Sequence, residues 1–449
     1  ALLKDGGKIC YIIPQTLLMA GDLDVLRYHL SNNTTIEKII TFGGNLFIGR
    51  GLKQNKPVAT SSLIFVVKKE KPTENHKINV INYNPYNESQ AGDFEKYFNS
   101  HNKNTFEISQ SDLQKNVDNW NFIKRGNNFL HFIQAYKDHT DDIAIYYTHT
   151  SAERLFGQSF WFDRGVKFDK KLISVGNADF MLAKNIKNQF ALQTLPDFID
   201  TNSLVFPDGA QGLRVFKSKY KIVWSYMNFD KFYFSDDNIM LDFNKIVISS
   251  DCKSEIEYLL SILGSNLSRF LFDSYLRTEN EQAILLGIKS IKQYIRIPKI
   301  TPENQFIKDE IIKTTEQMLD LEKTTLRDIV NFNGVQMQQF NNISVVGNNL
   351  VLDSMTLEIP DNYIEAVKSA LKNKYFDKNG NPLLTEIRLS ELKTLPVIDF
   401  EYQRKLKDYI DDLVFALYFN VPVKTIGMDH STEIKRLCQE NEFYSYISE

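Results

Sequence analysis

The sequence predicts an α/β and α+β multidomain chain: the C-terminal part of a doubly wound sheet, a mixed β-rich unit, and a helical tail with a small β unit. Three observations carry this. The first 70 residues read strand, helix, strand, loop, strand; from about residue 150 the texture is aromatic with short β runs; and beyond Pro302 the pattern turns helical and acidic. At about 100–200 residues per domain, 449 residues leave room for about three units, each able to bury its own core. We divide the chain into residues 1–115, 116–300 and 301–449.

Lys8-Ile9-Cys10-Tyr11-Ile12-Ile13 reads as a buried β run, entered through the turn Asp5-Gly6-Gly7 and closed by Pro14. The chain begins with Ala and inside this pattern, which we read as a piece of a longer protein. Gly21 to Leu30 fits a helix with Leu23, Leu26 and Leu30 on one face. Strands follow at Ile36 to Phe42 and Ser62 to Val67, separated by a Gly-rich stretch, and another is expected at Ile78 to Tyr83. The β-rich unit carries Phe156, Phe160, Trp161, Phe162, then Lys219 to Trp224 and Lys231 to Phe234, a strongly apolar helix over Ser254 to Leu276, and a closing strand at Ile295 to Ile300. Asn304 to Phe332 has the spacing of one long helix, about 40 Å at about 1.5 Å per residue. A small β unit at Ile343 to Ile359 and helices over Asp361 to Lys374 and Phe400 to Tyr418 complete the tail.

Composition excludes several classes. No apolar run approaches the roughly 18 residues of a membrane span, and the first residues do not form a signal peptide. Three cysteines, Cys10, Cys252 and Cys438, lie far apart with no ligand spacing, so neither a disulfide framework nor a zinc site is signalled, and a reducing cytoplasm fits. The net charge of −3 hides a division: residues 301–449 hold 16 Lys+Arg against 24 Asp+Glu, leaving the first 300 residues with an excess of 5 positive charges. That permits a polyanionic partner without requiring one.

The motifs Leu2-Leu3-Lys4-Asp5-Gly6-Gly7-Lys8, Pro14-Gln15-Thr16-Leu17-Leu18, Ile36-Glu37-Lys38-Ile39-Ile40 and Val58-Ala59-Thr60-Ser61-Ser62-Leu63-Ile64 resemble the later catalytic-domain motifs of Taq-type adenine-specific DNA methyltransferases and of type IIG restriction-modification enzymes. Gly176-Asn177, Leu182 to Lys187, the strand near Lys221, the helix Tyr258 to Tyr275 and Ile295 to Ile300 look like that family's target-recognition domain. Asp411 to Tyr418 resembles its helical tail. The resemblance implies transfer of a methyl group from S-adenosylmethionine to the amino group of adenine in double-stranded DNA. It also implies that the cofactor loop and the Asn/Asp-Pro-Pro-Tyr/Phe tetrad lie N-terminal to Gly6-Gly7, in the remainder of the same polypeptide. On this reading the chain itself holds no S-adenosylmethionine, no catalytic residue and no metal. Asn84-Pro85-Tyr86 lacks one Pro and comes too late, so it reads as a turn.

One position carries over from the family. Phe47, in Gly44 to Gly49, falls in the loop where a family aromatic stacks on the extruded adenine. Plugging the loop against the sheet is the other role that fits it, and Phe42, at a strand end, reads as core. In the β-rich unit, Lys184, Asn185 and Lys187 sit in a polar turn, and Lys217, Lys219 and Lys221 alternate with apolar residues, which on a strand puts all three on one face. Arg277 and Gln282, after the long helix, are side chains suited to guanine and adenine edges. Each is a candidate DNA contact, with solvated surface as the ordinary alternative. Glu391-Leu392-Lys393 and Glu433-Ile434-Lys435 read as helix surface and not as nuclease halves. The competing whole-chain reading is a non-catalytic specificity subunit of a type I-like system, which has two recognition domains and no methyltransferase sheet.

Overall fold

A computed structural model of the chain describes residues 3–42, 61–83, 99, 103–142, 152–155, 158–164, 173–174, 180–184, 190–191, 193–199, 213–227, 229–241, 244–276, 284–384 and 386–448. β1 (Lys8–Pro14), β2 (Thr35–Phe42), β3 (Ser62–Lys68), β4 (Lys77–Tyr83) and β5 (Lys103–Ser109) form a mixed sheet in the order β1-β3-β2-β4-β5. β3 pairs antiparallel with both β1 and β2, β2 pairs parallel with β4, and β5 pairs antiparallel with β4. So β1, β2 and β4 run the same way, and Pro14, Phe42 and Tyr83 end at one edge of the sheet. Ile36, Ile39, Leu63, Phe65, Val67, Ile78 and Val80 supply its buried side chains.

Two expectations are met only in part here. β1 is a strand, yet Ile9, Tyr11 and Ile12 are 43%, 62% and 51% exposed, because its outer edge and both its faces lack a cover among the described residues. The Asp24–Asn33 helix forms and Leu23 and Leu30 pack against the core, but Leu26 of the same expected face is exposed with Val25 and Tyr28, while Arg27 and Ser31 turn inward.

In the β-rich unit a five-stranded sheet runs Tyr233–Ser235, Tyr220–Ser225, Lys245–Ser250, Gln158–Arg164, Ala152–Leu155, antiparallel throughout. The expected helix over Ser254 to Leu276 is two helices, Lys253–Gly264 and Asn266–Leu276. Ser265 makes the break: its backbone is extended, while its hydroxyl accepts from Ser268 N at 3.1 Å and donates to Ile262 O at 2.7 Å. Capping of this kind competes with an unbroken helix.

The long tail helix is also shorter than its spacing predicts. It spans Gln305–Leu321, and a capping box of Thr325 and Asp328 starts a separate turn at Leu326–Ile329. Gln305–Leu321 packs against Phe400–Tyr418 and Lys253–Gly264, inside a core that runs from Leu17 to Ile447. Residues Leu326 to Val397 enclose a second core of their own, around a three-stranded antiparallel sheet of Ile343–Val346, Asn349–Leu352 and Met355–Glu358. The chain is thus a mixed α/β protein with several small sheets. Among the described residues no helix is long and apolar enough to cross a membrane.

Candidate nucleic-acid interface

In open α/β sheets the crevice outside the carboxyl ends of the parallel strands is where ligands bind. Here that edge gathers Pro14-Gln15, Thr41-Phe42, Ser61-Ser62 and Asn82-Tyr83. Buried Gln15 donates from Nε2 to Phe42 O at 3.0 Å and Ser62 O at 2.9 Å, tying three strand ends together. Thr41 Oγ1 donates to Asn82 Oδ1 at 2.7 Å, and Asn82 Nδ2 donates to Lys124 O at 3.0 Å. The Phe42 ring is fully buried and stacks on Tyr83 at 5.6 Å, with Lys103 above Tyr83, so Phe42 is a packing residue as expected. Phe42 and Ser61, which bracket residues 43–60, both lie at this edge; Phe47 is outside the described residues, as is Asn84-Pro85-Tyr86.

Beside this edge a cleft of about 980 Å³ lies between residues 124–125, the Asn266–Leu276 helix and the two C-terminal helices. Arg125 lies 5.4 Å from the Phe270 ring, and Arg269 lies 5.5 Å from Phe229. A guanidinium held against a ring keeps its planar N–H fork for a carboxylate, carbonyl or phosphate. Arg269 spends part of that fork on Asp230 O and Asp273. Two of the facing acids are held by protein donors: Asp411 pairs with Lys407 at 2.6 Å and accepts from Asn266 N, and Asp412 accepts from the Tyr444 hydroxyl at 2.5 Å. Burial pushes the Asp412 carboxyl up to about 6. Arg125 thus sets a ring-backed guanidinium in a cleft whose lining also holds Lys124, Lys435 and the aspartates Asp273, Asp408, Asp411 and Asp412.

The three lysines expected on one strand face are not on one face. Lys217 ends the Leu213–Lys217 helix, Lys219 lies in the turn that follows, and only Lys221 is on the strand. Lys217 and Lys219 are exposed. Lys221 is fully buried, donating to Ser218 O at 2.6 Å and Asp237 O at 3.0 Å, and burial lowers its ammonium to about 8. It is a tether between two turns and cannot touch a phosphate. Lys184 ends the Phe180–Lys184 strand; Asn185, Lys187, Arg277 and Gln282 lie outside the described residues. Glu391 and Lys393 lie on the Leu389–Lys393 helix, Glu433 and Lys435 on Ser431–Gln439. Among the described residues no cluster of His, Cys, Asp and Glu could hold a metal. Sequence reasoning missed Gln15, Asn82 and Arg125, whose roles rest on partners 27 to 145 residues away, so no local signal marks them.

No protein-family model matches the sequence, and no curated protein matches it. Solved structures do. The type IIG restriction endonuclease BpuSI matches at 13% identity and a TM-score of 0.29, over 92% of this chain and 48% of that one. The type IIL restriction-modification enzyme MmeI in complex with DNA matches at 12% identity and 0.37, over 96% and 49%. The DrdV-DNA complex matches at 9% and 0.39, over 97% and 50%. The chain spans about half the length of these three.

Proposed function

We propose that this chain is the DNA-recognising C-terminal portion of an adenine-specific DNA methyltransferase belonging to a restriction-modification enzyme. The observation that carries the reading is the open flank of the first sheet. β1 exposes apolar side chains along an edge that is unpaired among the described residues, beside an apolar groove of about 470 Å³ lined by Ile13, Leu26, Leu30, Phe65 and Val67. A long, uncovered apolar edge strand is an aggregation hazard in a free-standing protein. It supports the reading that earlier strands of the same polypeptide lie against β1. Those strands would bring the cofactor loop and the catalytic tetrad to the sheet edge where Phe42 and Tyr83 end. S-adenosylmethionine bound there would supply the methyl group. A five-stranded sheet of this order also fits this reading better than that of a specificity subunit.

In this reading Phe47 stacks on the extruded adenine. Lys184, Asn185, Lys187, Arg277 and Gln282 face the DNA with Lys217 and Lys219, while Lys221 holds the strand behind them. Fluorescence anisotropy of the chain with duplex DNA at rising salt tests it. Binding should weaken steeply as salt increases, as counterion release demands. Lys217→Glu with Lys219→Glu should reduce affinity about tenfold. Salt-independent binding, or equal binding by residues 301–449 alone, would overturn the assignment. The chain should bind no S-adenosylmethionine in calorimetry at millimolar cofactor; saturable binding would overturn the division of labour.

A further inference from the structure

Residues 117–126 join the five-stranded sheet to the β-rich unit, and they are built unlike a linker. Linkers between domains are exposed and polar, and relative domain motion is the ordinary expectation. Here Asn119, Trp120 and Asn121 are buried.

On the sheet side, Arg27 donates to Val117 O and Asp118 O, both at 2.6 Å. Trp120 N donates to Leu18 O at 2.6 Å, its Nε1 donates to Leu113 O at 2.9 Å, and Asn82 reaches Lys124 O. On the other side, Asn119 Nδ2 donates to the Tyr294 hydroxyl at 2.8 Å and to Tyr275 O at 3.2 Å. Asn121 Nδ2 donates to Ser274 O at 2.9 Å, and Gln293 Nε2 donates to Asp118 Oδ2 at 2.9 Å. The Tyr275 and Tyr294 rings stack at 4.4 Å, so the acceptors of Asn119 are themselves immobilised. Asn119 Oδ1 accepts from Asn121 N at 2.8 Å, which locks the two amides to one another. Any rotation of the β-rich unit against the sheet would separate the buried Asn119 and Asn121 donors from their acceptors. Buried amides left unmatched are costly, so the joint has one stable angle.

We propose that Asn119 and Asn121 are positioning residues that hold the β-rich unit at a single fixed angle to the sheet. Resting on the proposed function, this makes the span from recognised bases to methyl-transfer site a rigid distance, set without hinge closure. The joint itself can be tested without DNA, so failure of the functional reading and failure of the joint are separate outcomes.

The test is a distance measurement by double electron–electron resonance on the full chain. One spin label goes on exposed Cys10 of β1 and the other on Met227→Cys, an exposed position of the β-rich unit; Cys252→Ser removes the remaining accessible thiol, and Cys438 is buried. The parent should give one narrow distance distribution. Asn119→Ala with Asn121→Ala should at least double its width. An unchanged mean and width in the double variant would overturn the proposal. If the double variant does not fold, Asn119→Asp keeps the acceptor to Asn121 N and loses the two donor bonds, and Gln293→Ala removes the outermost link. Each should broaden the distribution partially, and neither doing so would overturn the proposal equally.

Discussion

The two flanks of the first sheet end in opposite conditions. On the β1 flank, aliphatic and aromatic side chains stand in solvent, with Tyr11 at 62% and Val25 at 76% exposure. On the sealed flank, where Leu18, Arg27 and Asn82 hold it, the segment through Asn119 and Asn121 closes against the β-rich unit with largely buried, directional hydrogen bonds. The Asp24–Asn33 helix shows both conditions within one turn, since Arg27 reaches the sealed joint and Val25 faces outward. The difference separates two kinds of information. Apolar residues say that a surface is made to be covered; polar residues with fixed geometry say by what, and at what angle.

The largest effect should come from breaking the sealed flank at its root. Arg27 is fully buried and donates to four carbonyls, those of Leu17, Ala20, Val117 and Asp118. Arg27→Met keeps the apolar stem and orphans all four. A cost of about 3–5 kcal/mol in urea unfolding is expected, in line with removing one side of a buried charged network. Arg27→Lys should recover only part of this, because a point charge cannot serve four acceptors spread around a planar fork. A loss below about 1 kcal/mol would mean that the joint holds without its arginine and that the contrast between flanks is overstated.

A smaller effect tests how dry the packing between the Lys253–Gly264 and Gln305–Leu321 helices is. Glu257 on the Lys253–Gly264 helix is 2% exposed, and burial pushes its carboxyl up to about 7 despite Lys253 at 3.4 Å. Its unfolded value is about 4.3. A folded-state value raised in this way contributes stability that is fully present below about pH 4 and is lost as pH rises through 7. Glu257→Gln, which is neutral at every pH, should therefore match the parent at pH 4 and exceed it by about 1–2 kcal/mol at pH 8. If the difference between variant and parent stays flat from pH 4 to 8, the carboxylate is solvated and this contact is wetter than its geometry indicates.

Much of the fold was legible because it depends on short-range pattern. β2, β3 and β4 fall where the apolar runs at Ile36, Ser62 and Ile78 put them, and the Phe400–Tyr418 helix has its expected bounds. What failed depended on context. Ser265 and the Thr325–Asp328 box break helices whose apolar spacing runs straight through them, since a capping serine and a solvent-facing serine look alike in sequence. Lys217, Lys219 and Lys221 alternate as on a strand, but Lys217 belongs to a helix end, so strand periodicity was applied across a boundary. The arrangement around the candidate interface was hardly legible: Asn119 meets Tyr294 across 175 positions, and Arg125 meets Phe270 across 145. Neither has a local signature.

The smallest effect belongs to the open flank, and its smallness is the point. Tyr11 and Val25 are exposed, so in this chain they exclude little water and contribute little to folding. Tyr11→Ser or Val25→Ser should change the unfolding free energy by no more than about 0.5 kcal/mol, the range for surface positions. Phe65, on the neighbouring strand and only 5% exposed, supplies the control: Phe65→Ala should cost about 3–5 kcal/mol. A cost above about 1 kcal/mol for Tyr11→Ser would mean that something already covers β1 in solution. Repeating the unfolding over a hundredfold range of protein concentration then identifies the cover. A midpoint that rises with concentration points to a second copy of the chain on that edge, and a constant midpoint points to a segment of the chain itself. The first result would put self-association where the proposed function puts the earlier strands of the polypeptide.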